Sequence, residues 1–232
     1  MNRVETTLFM LMSVDGKIST GDADNRDVDK DFPTIAGVSE GLQQYYDLEK
    51  QTDNLSFNTG RVMAKIGLND RTESPNKIPC SFVIVDNEPH LKDGGIRYLS
   101  KWTEKLFLVT TDKNHPAVAI QEELGNVTIL SYESEIDFGD LFKRLKDEFS
   151  FERMTIQSGG TMNATLIRAG LVDHLSIVVA PALVGGKNTA TLVDGDSLRA
   201  EADLTKIRPL RLTECAELKH SYLNVKYDVI NN

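Results

Sequence analysis

Short apolar blocks alternate with polar, glycine-containing breaks along most of this chain. The run Thr7-Leu8-Phe9-Met10-Leu11-Met12, with Thr6 and Ser13 at its ends, predicts a strand over 6–13 buried on both faces. Val14-Asp15-Gly16-Lys17 breaks it, and the Asp-rich segment 21–31 reads as a loop. From Ser39, a predicted N-cap, to Gln51, the spacing of Leu42, Tyr45, Tyr46 and Leu48 predicts a helix. Leu55-Ser56-Phe57 predicts a brief strand, and Asn58-Thr59-Gly60-Arg61 leads into another helix.

Phe82-Val83-Ile84-Val85, Leu106-Phe107-Leu108-Val109 and Val127-Thr128-Ile129-Leu130 are short strand patterns, with a helix predicted from Pro116 through Leu124. Phe138, Leu141, Phe142, Leu145 and Phe149 form one helical stripe with charges opposite. Met154-Thr155-Ile156 predicts a strand running into Ser158-Gly159-Gly160 and a helix that carries Met162, Leu166 and Ile167. A strand follows over 174–179. Two strands at 210–218 and 222–229 are joined by a turn too short for anything but an antiparallel pair. Strand–helix alternation closing on a hairpin predicts an α/β fold: a mostly parallel central sheet, helices on both faces and an antiparallel C-terminal edge. With no linker or repeat, 1–232 is expected to be a single domain.

Composition narrows the function. A 232-residue chain with 40% hydrophobic and 26% charged residues has material for one core. Net charge −9 argues against nucleic acid, although local amides can still hold a phosphate. Met1-Asn2-Arg3-Val4-Glu5 lacks the blocks of a signal peptide, and no apolar run approaches the roughly 18 residues of a membrane helix. Cys80 and Cys215 belong to no motif, so free thiols in a reducing cytoplasm are expected. His90, His115, His174 and His220 are scattered, so no metal is expected.

Gln157-Ser158-Gly159-Gly160-Thr161-Met162-Asn163 lies where a strand passes into a helix. Amides and the helix dipole converge there, and glycine admits an anion closely, a dinucleotide diphosphate above all. A plain tight turn uses the same residues. The blocks that follow are Ala169-Gly170-Leu171-Val172-Asp173, Ala180-Pro181, Gly185-Gly186-Lys187 and Val193-Asp194-Gly195. With Met12-Ser13-Val14-Asp15-Gly16-Lys17-Ile18 and Val83-Ile84-Val85-Asp86, the chain resembles the riboflavin-pathway reductases in family order over nearly its whole length.

That resemblance implies a dihydrofolate-reductase-like fold and NADPH as cofactor. Hydride transfer would go to C1′ of the ribosylamino group of a phosphorylated heterocycle, as in 5-amino-6-(5-phosphoribosylamino)uracil reductase. By the same resemblance Ser158, Gly159, Gly160, Thr161 and Met162 hold the diphosphate and ribose, and Thr59, Gly60 and Arg61 form a second turn on the cofactor. Val85, Asp86 and Asn87 approach the adenosine half, and Arg61 or Lys65 supplies charge for a 2′-phosphate. Ser13, Asp15 and Lys17 face the substrate, with Asp15 the catalytic candidate, orienting or protonating it. Gly186 and Lys187 close over its phosphate, while Asn163 and Asp173 are structural. A homodimer is implied.

The chain also departs from the family. Asn58-Thr59-Gly60-Arg61 replaces Gly-x-Gly-Thr, and Ala64-Lys65-Ile66-Gly67 stands where Asp-Asp-Pro is usual. Gln157 replaces a glutamate and Ser158 a glycine, and Phe9-Met10 lacks the family's basic residue. No zinc-deaminase signature is present, so a stand-alone reductase is expected. A reductase of a pterin or another substrate, and a non-catalytic NADPH sensor, are the rival readings.

Overall fold

The computed structural model describes residues 2–231. In chain order the elements are β1 (Glu5–Ser13), α1 (Val28–Asp31), α2 (Gln43–Glu49), β2 (Leu55–Thr59), α3 (Gly60–Lys65) and β3 (Ser81–Val85). Then come α4 (Asp93–Trp102), β4 (Leu106–Thr110), α5 (Pro116–Ile120), β5 (Val127–Ser131), α6 (Phe138–Asp147) and β6 (Arg153–Ile156). The last are α7 (Gly160–Arg168), β7 (His174–Ala180), β8 (Leu210–Glu217) and β9 (Leu223–Val229). The chain divides into two compact units: Asp53–Ser158 with the residues before Glu5, and Glu5–Thr52 with the residues from Gly159 on.

In the first unit β5, β4, β3, β2 and β6 pair side by side, every pairing parallel. β3 and β4 are buried along their whole length, which is why they read as unbroken apolar runs. Alternate residues feed two cores. Phe82, Ile84, Leu106 and Leu108 pack with Ile96, Leu99 and Ala117 of α4 and α5. On the other face Phe57 meets Phe138 and Phe142 of α6, and Phe107 meets Phe149 and Phe151. Helices thus cover both sides, as expected. Phe149 lies beyond α6, which stops at Asp147.

No sequence pattern predicts α4. Its Gly94-Gly95 start looks like a break, but Gly95 is where the helix presses on Asn69 Oδ1. Only then do Ile96, Leu99, Tyr98 and Trp102 show helical spacing. The expected helix over 39–51 divides into a 3-10 turn at Ser39–Gly41 and α2, and Ser39 does not cap it.

In the second unit β1 and β7 pair in parallel. β9 runs antiparallel to β7, and β8 antiparallel to β9, giving the C-terminal hairpin at an edge. No residue of β1 after Glu5 is exposed. One core joins Phe9, Leu11, Val178 and Ala180 to Phe32, Leu42, Tyr45 and Tyr222. Asp173 ties the sheet's start, accepting from the Thr6 amide at 2.9 Å and the Thr6 hydroxyl at 3.1 Å, a structural role as expected.

His174 links this sheet across its strands. Nδ1 meets Asp228 Oδ1 at 2.8 Å and Nε2 meets Glu5 Oε1 at 3.0 Å, while Arg211 holds the other Asp228 oxygen at 2.7 Å. Partial burial pushes the imidazole pKa down, but the two carboxylate hydrogen bonds outweigh it and the net shift is upward. A raised folded value means the stabilisation is complete below the unfolded pKa, about 6.5, and fades as pH rises through the folded one. The Tm difference between wild type and His174→Gln, followed by calorimetry, is therefore expected to be largest near pH 5.5 (roughly one unit below that value) and to shrink toward pH 8 or so.

Candidate functional site

The sequence-predicted residues fall into clusters, Ser158 being the last residue of the first unit and Gly159 the next in the second. In the second unit, α7 starts where Gly159 gives way to Gly160. The backbone of Gly159 is extended (φ −72°, ψ 158°), and as the N-cap residue it offers no side chain to cap the helix. A helix start has a positive dipole end suited to an anion. The two glycines do different work. A Cβ on Gly159 would meet nothing within 4 Å, whereas one on Gly160 would strike the Thr191 carbonyl and the Asp194 carboxylate.

That crowding is organised. Asp194 donates its amide to Gly160 O at 3.0 Å, and its carboxylate accepts from the Thr191 amide at 3.2 Å. Fully buried Asn163 donates to Leu192 O at 2.8 Å. The turn over 191–194 is thereby fastened to the first turn of α7. Asn163 is structural, as expected. Asp194 was legible only as part of a matching block. Thr161 is exposed at the start of α7, Met162 partly buried, and Ser158 buried just before it.

The 13–17 turn lies in the same unit. The Ser13 hydroxyl donates to Asp15 Oδ1 at 2.5 Å and accepts from the Lys17 amide at 3.0 Å. Asp15 also accepts from the Val184 amide at 3.1 Å and the Gly185 amide at 2.6 Å. The Ser13 hydroxyl, then the Val184 and Gly185 amides, hold its carboxyl down at about 2. At neutral pH it is an acceptor only. Of the two roles open to Asp15, the geometry favours orienting over protonating. Lys17 turns inward and donates to Gly186 O at 2.8 Å and Thr189 O at 2.9 Å, while Lys187 is exposed.

In the first unit, Thr59, Gly60, Arg61, Val85, Asp86 and Asn87 meet at the ends of β2 and β3. The Thr59 hydroxyl caps α3 from the Val62 amide at 3.4 Å. Arg61 is exposed on the first turn and Lys65 partly exposed at the end of the helix. Asn87 accepts from the Thr111 amide at 3.1 Å. Asp86 is 1% exposed and accepts from the Leu91 amide at 2.9 Å and the His90 amide at 3.1 Å. His115, also 1% exposed, accepts from the Ala117 amide at Nδ1, which leaves Nε2 to donate to Asp86 at 3.1 Å. Burial pushes the Asp86 pKa up, but these bonds prevail and lower it. A Cβ on Gly60 would run into this carboxylate. Sequence reading missed the His115 contact, because nothing local marks a histidine 29 residues away as its partner. Among the described residues no group of three or more His, Cys, Asp or Glu is placed to hold a metal, and no helix is long and apolar enough to cross a membrane.

A family model described as the RibD C-terminal domain matches residues 5–220. The 2,5-diamino-6-ribosylamino-4(3H)-pyrimidinone 5′-phosphate reductase of Methanothermobacter thermautotrophicus is 26% identical over 218 residues, covering 91% of this chain and 89% of that protein. Acinetobacter baumannii RibD superposes with TM-score 0.68 at 15% identity, over 99% of this chain and 59% of that one. The riboflavin biosynthesis reductase Rib7 of Saccharomyces cerevisiae does so with TM-score 0.63 at 16% identity, over 99% and 91%. The fold is the expected dihydrofolate-reductase-like α/β arrangement.

The two glycines separate by experiment. Gly160→Ala forces a Cβ against main chain and is expected to cost about 1–3 kcal/mol, lowering Tm by roughly 3–10 °C. Gly159→Ala is expected to leave Tm within about two degrees, since small surface changes stay within about ±0.5 kcal/mol. Thermal melts of both variants check this.

Proposed function

We propose that this chain, which belongs to the RibD C-terminal domain family, is an NADPH-dependent reductase of riboflavin biosynthesis working as a single domain. The family model's span across both units supports the single domain. When bound, the cofactor supplies hydride from C4 of its nicotinamide to C1′ of the ring-opened ribosylamino group. The observation that carries the reading is the start of α7 at Gly159, an N-cap glycine with no side chain and with open space at its Cβ position. The amides of that helix start, with Ser158, Gly159, Gly160, Thr161 and Met162, hold the diphosphate. Arg61 and Lys65 give the family's second cofactor turn positive charge, which favours the 2′-phosphate of NADPH over NADH. Thr59, Gly60, Val85, Asp86 and Asn87 frame that turn. Gly186 and Lys187 meet the substrate's phosphate, and the turn of Ser13, Asp15 and Lys17 supports that side, Asp15 by orienting rather than protonating.

The name of the Methanothermobacter relative points to a substrate with amino groups at positions 2 and 5, rather than the uracil that the family resemblance implies. We further propose that the protein works in the cytoplasm, where the thiols of Cys80 and Cys215 stay reduced. It is further proposed to form a homodimer through β8. Among the described residues β8 pairs only with β9, and it bares Leu210 at 44% and Leu212 at 55% exposure on an edge strand.

Wild-type protein is expected to oxidise NADPH with the diamino pyrimidinone phosphate faster than with the uracil. Gly159→Val is expected to fold and to bind NADPH at least about tenfold more weakly by calorimetry, about 1.4 kcal/mol. Turnover of dihydrofolate instead would move the protein to the pterin reading, and binding without turnover to the sensor reading. No binding of NADPH would end all three. On a sizing column with light scattering, wild type is expected to run as a dimer and Leu212→Glu as a monomer.

A further inference from the structure

One turn reaches a neighbouring loop with two opposite charges. The Asp15 carboxylate takes amides, those of Val184 and Gly185 at 3.1 and 2.6 Å. The Lys17 ammonium takes carbonyls, those of Gly186 and Thr189 at 2.8 and 2.9 Å. Each charge is matched to main-chain groups of the right sign, the stronger kind of hydrogen bond. Main-chain bonds bracket the contact: Val14 donates to Ala182 O at 2.9 Å and Ile18 to Ala190 O at 3.1 Å. Between those brackets Val184 packs against the core of Phe9, Leu11 and Tyr222, and the Asp15 and Lys17 side chains hydrogen-bond the main chain of Val184, Gly185, Gly186 and Thr189.

The loop needs such restraint. Gly185 and Gly186 have φ of +73° and +85°, a left-handed pair open to glycine, and a Cβ on Gly186 would collide with the Thr189 hydroxyl. Two adjacent glycines lose much conformational freedom on ordering. Lys17 is 8% exposed, and an ammonium that buried is costly unless its protons are bonded. Two of its three donors are committed to the loop. The charge offered outward by this loop is Lys187.

We propose that the 13–17 turn is a two-signed clamp in which Asp15 and Lys17 are positioning residues: they hold the 184–189 loop so that Lys187 meets the substrate's phosphate, and they touch no substrate themselves. The phosphate contact rests on the reductase reading; the clamp does not.

Hydrogen exchange and steady-state kinetics on the full chain test the two parts separately. Lys17→Met is expected to speed exchange of the Val184 and Gly185 amides at least about tenfold, with the first unit unchanged. It should raise KM for the diamino pyrimidinone phosphate about tenfold while kcat stays within about threefold, a loss of binding rather than chemistry. Lys17→Arg should restore most of both. Lys187→Ala should raise KM comparably with exchange at 184–185 as in wild type. Asp15→Asn, at an exposed position, repeats the exchange measurement if Lys17→Met fails to fold. Unchanged exchange in both clamp variants overturns the clamp, and a rise in KM without it makes Lys17 a direct substrate contact. An unaltered KM in Lys187→Ala removes the phosphate contact. If wild type turns over no phosphorylated pyrimidine, the phosphate part falls with the reductase reading, and exchange alone still decides the clamp.

Discussion

The second unit depends on how closely Gly160 lies against the 191–194 turn. Because residue 160 has no Cβ, the first turn of α7 rests directly on the Thr191 carbonyl and the Asp194 carboxylate. Asn163 reinforces the seat from inside the helix. At the far end Arg208 donates to the carbonyls of Ile167 and Arg168, at 3.2 and 2.7 Å, and so satisfies the last turn. With both ends of α7 held by the chain after it, the helix start cannot drift, and Gly159 is left facing open space. A dipole end is useful to a ligand only where it is held still.

The same strap of chain, 184–194, is gripped at its beginning by Asp15 and Lys17 and at its end by α7. The turn expected to serve the substrate and the helix start expected to serve the cofactor are therefore fastened to one piece of backbone. In the first unit a buried carboxylate does comparable work. Asp86 draws in the amides of the chain after β3 and the imidazole before α5, and Gly60 is small enough to let it sit there. Removing such an acid would strand several buried donors, so Asp86 is better understood as an organiser of strand ends than as a group free to meet a ligand.

How far the sequence could be read follows from the range of the forces involved. Strands buried on both faces, such as β1, β3 and β4, announce themselves by composition alone. The hairpin of β8 and β9 follows from a turn too short for a crossover. α4 was hidden because its glycines answer to Asn69, on a different element, rather than to local propensity. α1 was hidden inside an Asp-rich stretch, where Asp27 caps it from the Asp29 amide at 2.9 Å. In the site, the glycine run was legible as a place, but the division of labour between Gly159 and Gly160 was not. That division is set by residues thirty or so positions away, and only tertiary packing brings them near. Lys17 shows the same limit: as a motif residue it reads as a substrate contact, and its carbonyl partners lie 169 and 172 residues along the chain.

An acidic chain with net charge −9 can still serve a polyanionic cofactor and a phosphorylated substrate, because the field that matters is local. At the start of α7 the positive potential comes from oriented amides, which carry no formal charge and leave the total unchanged. Two of the departures expected from the family pattern, both on α3, add positive charge. Where the family has Thr and a pair of acids after the second glycine turn, this chain has Arg61 and Lys65, at i and i+4 on α3. Residues so spaced share one helix face, so two cations lie on that side of α3, while Gly60 at its start packs on the Asp86 carboxylate.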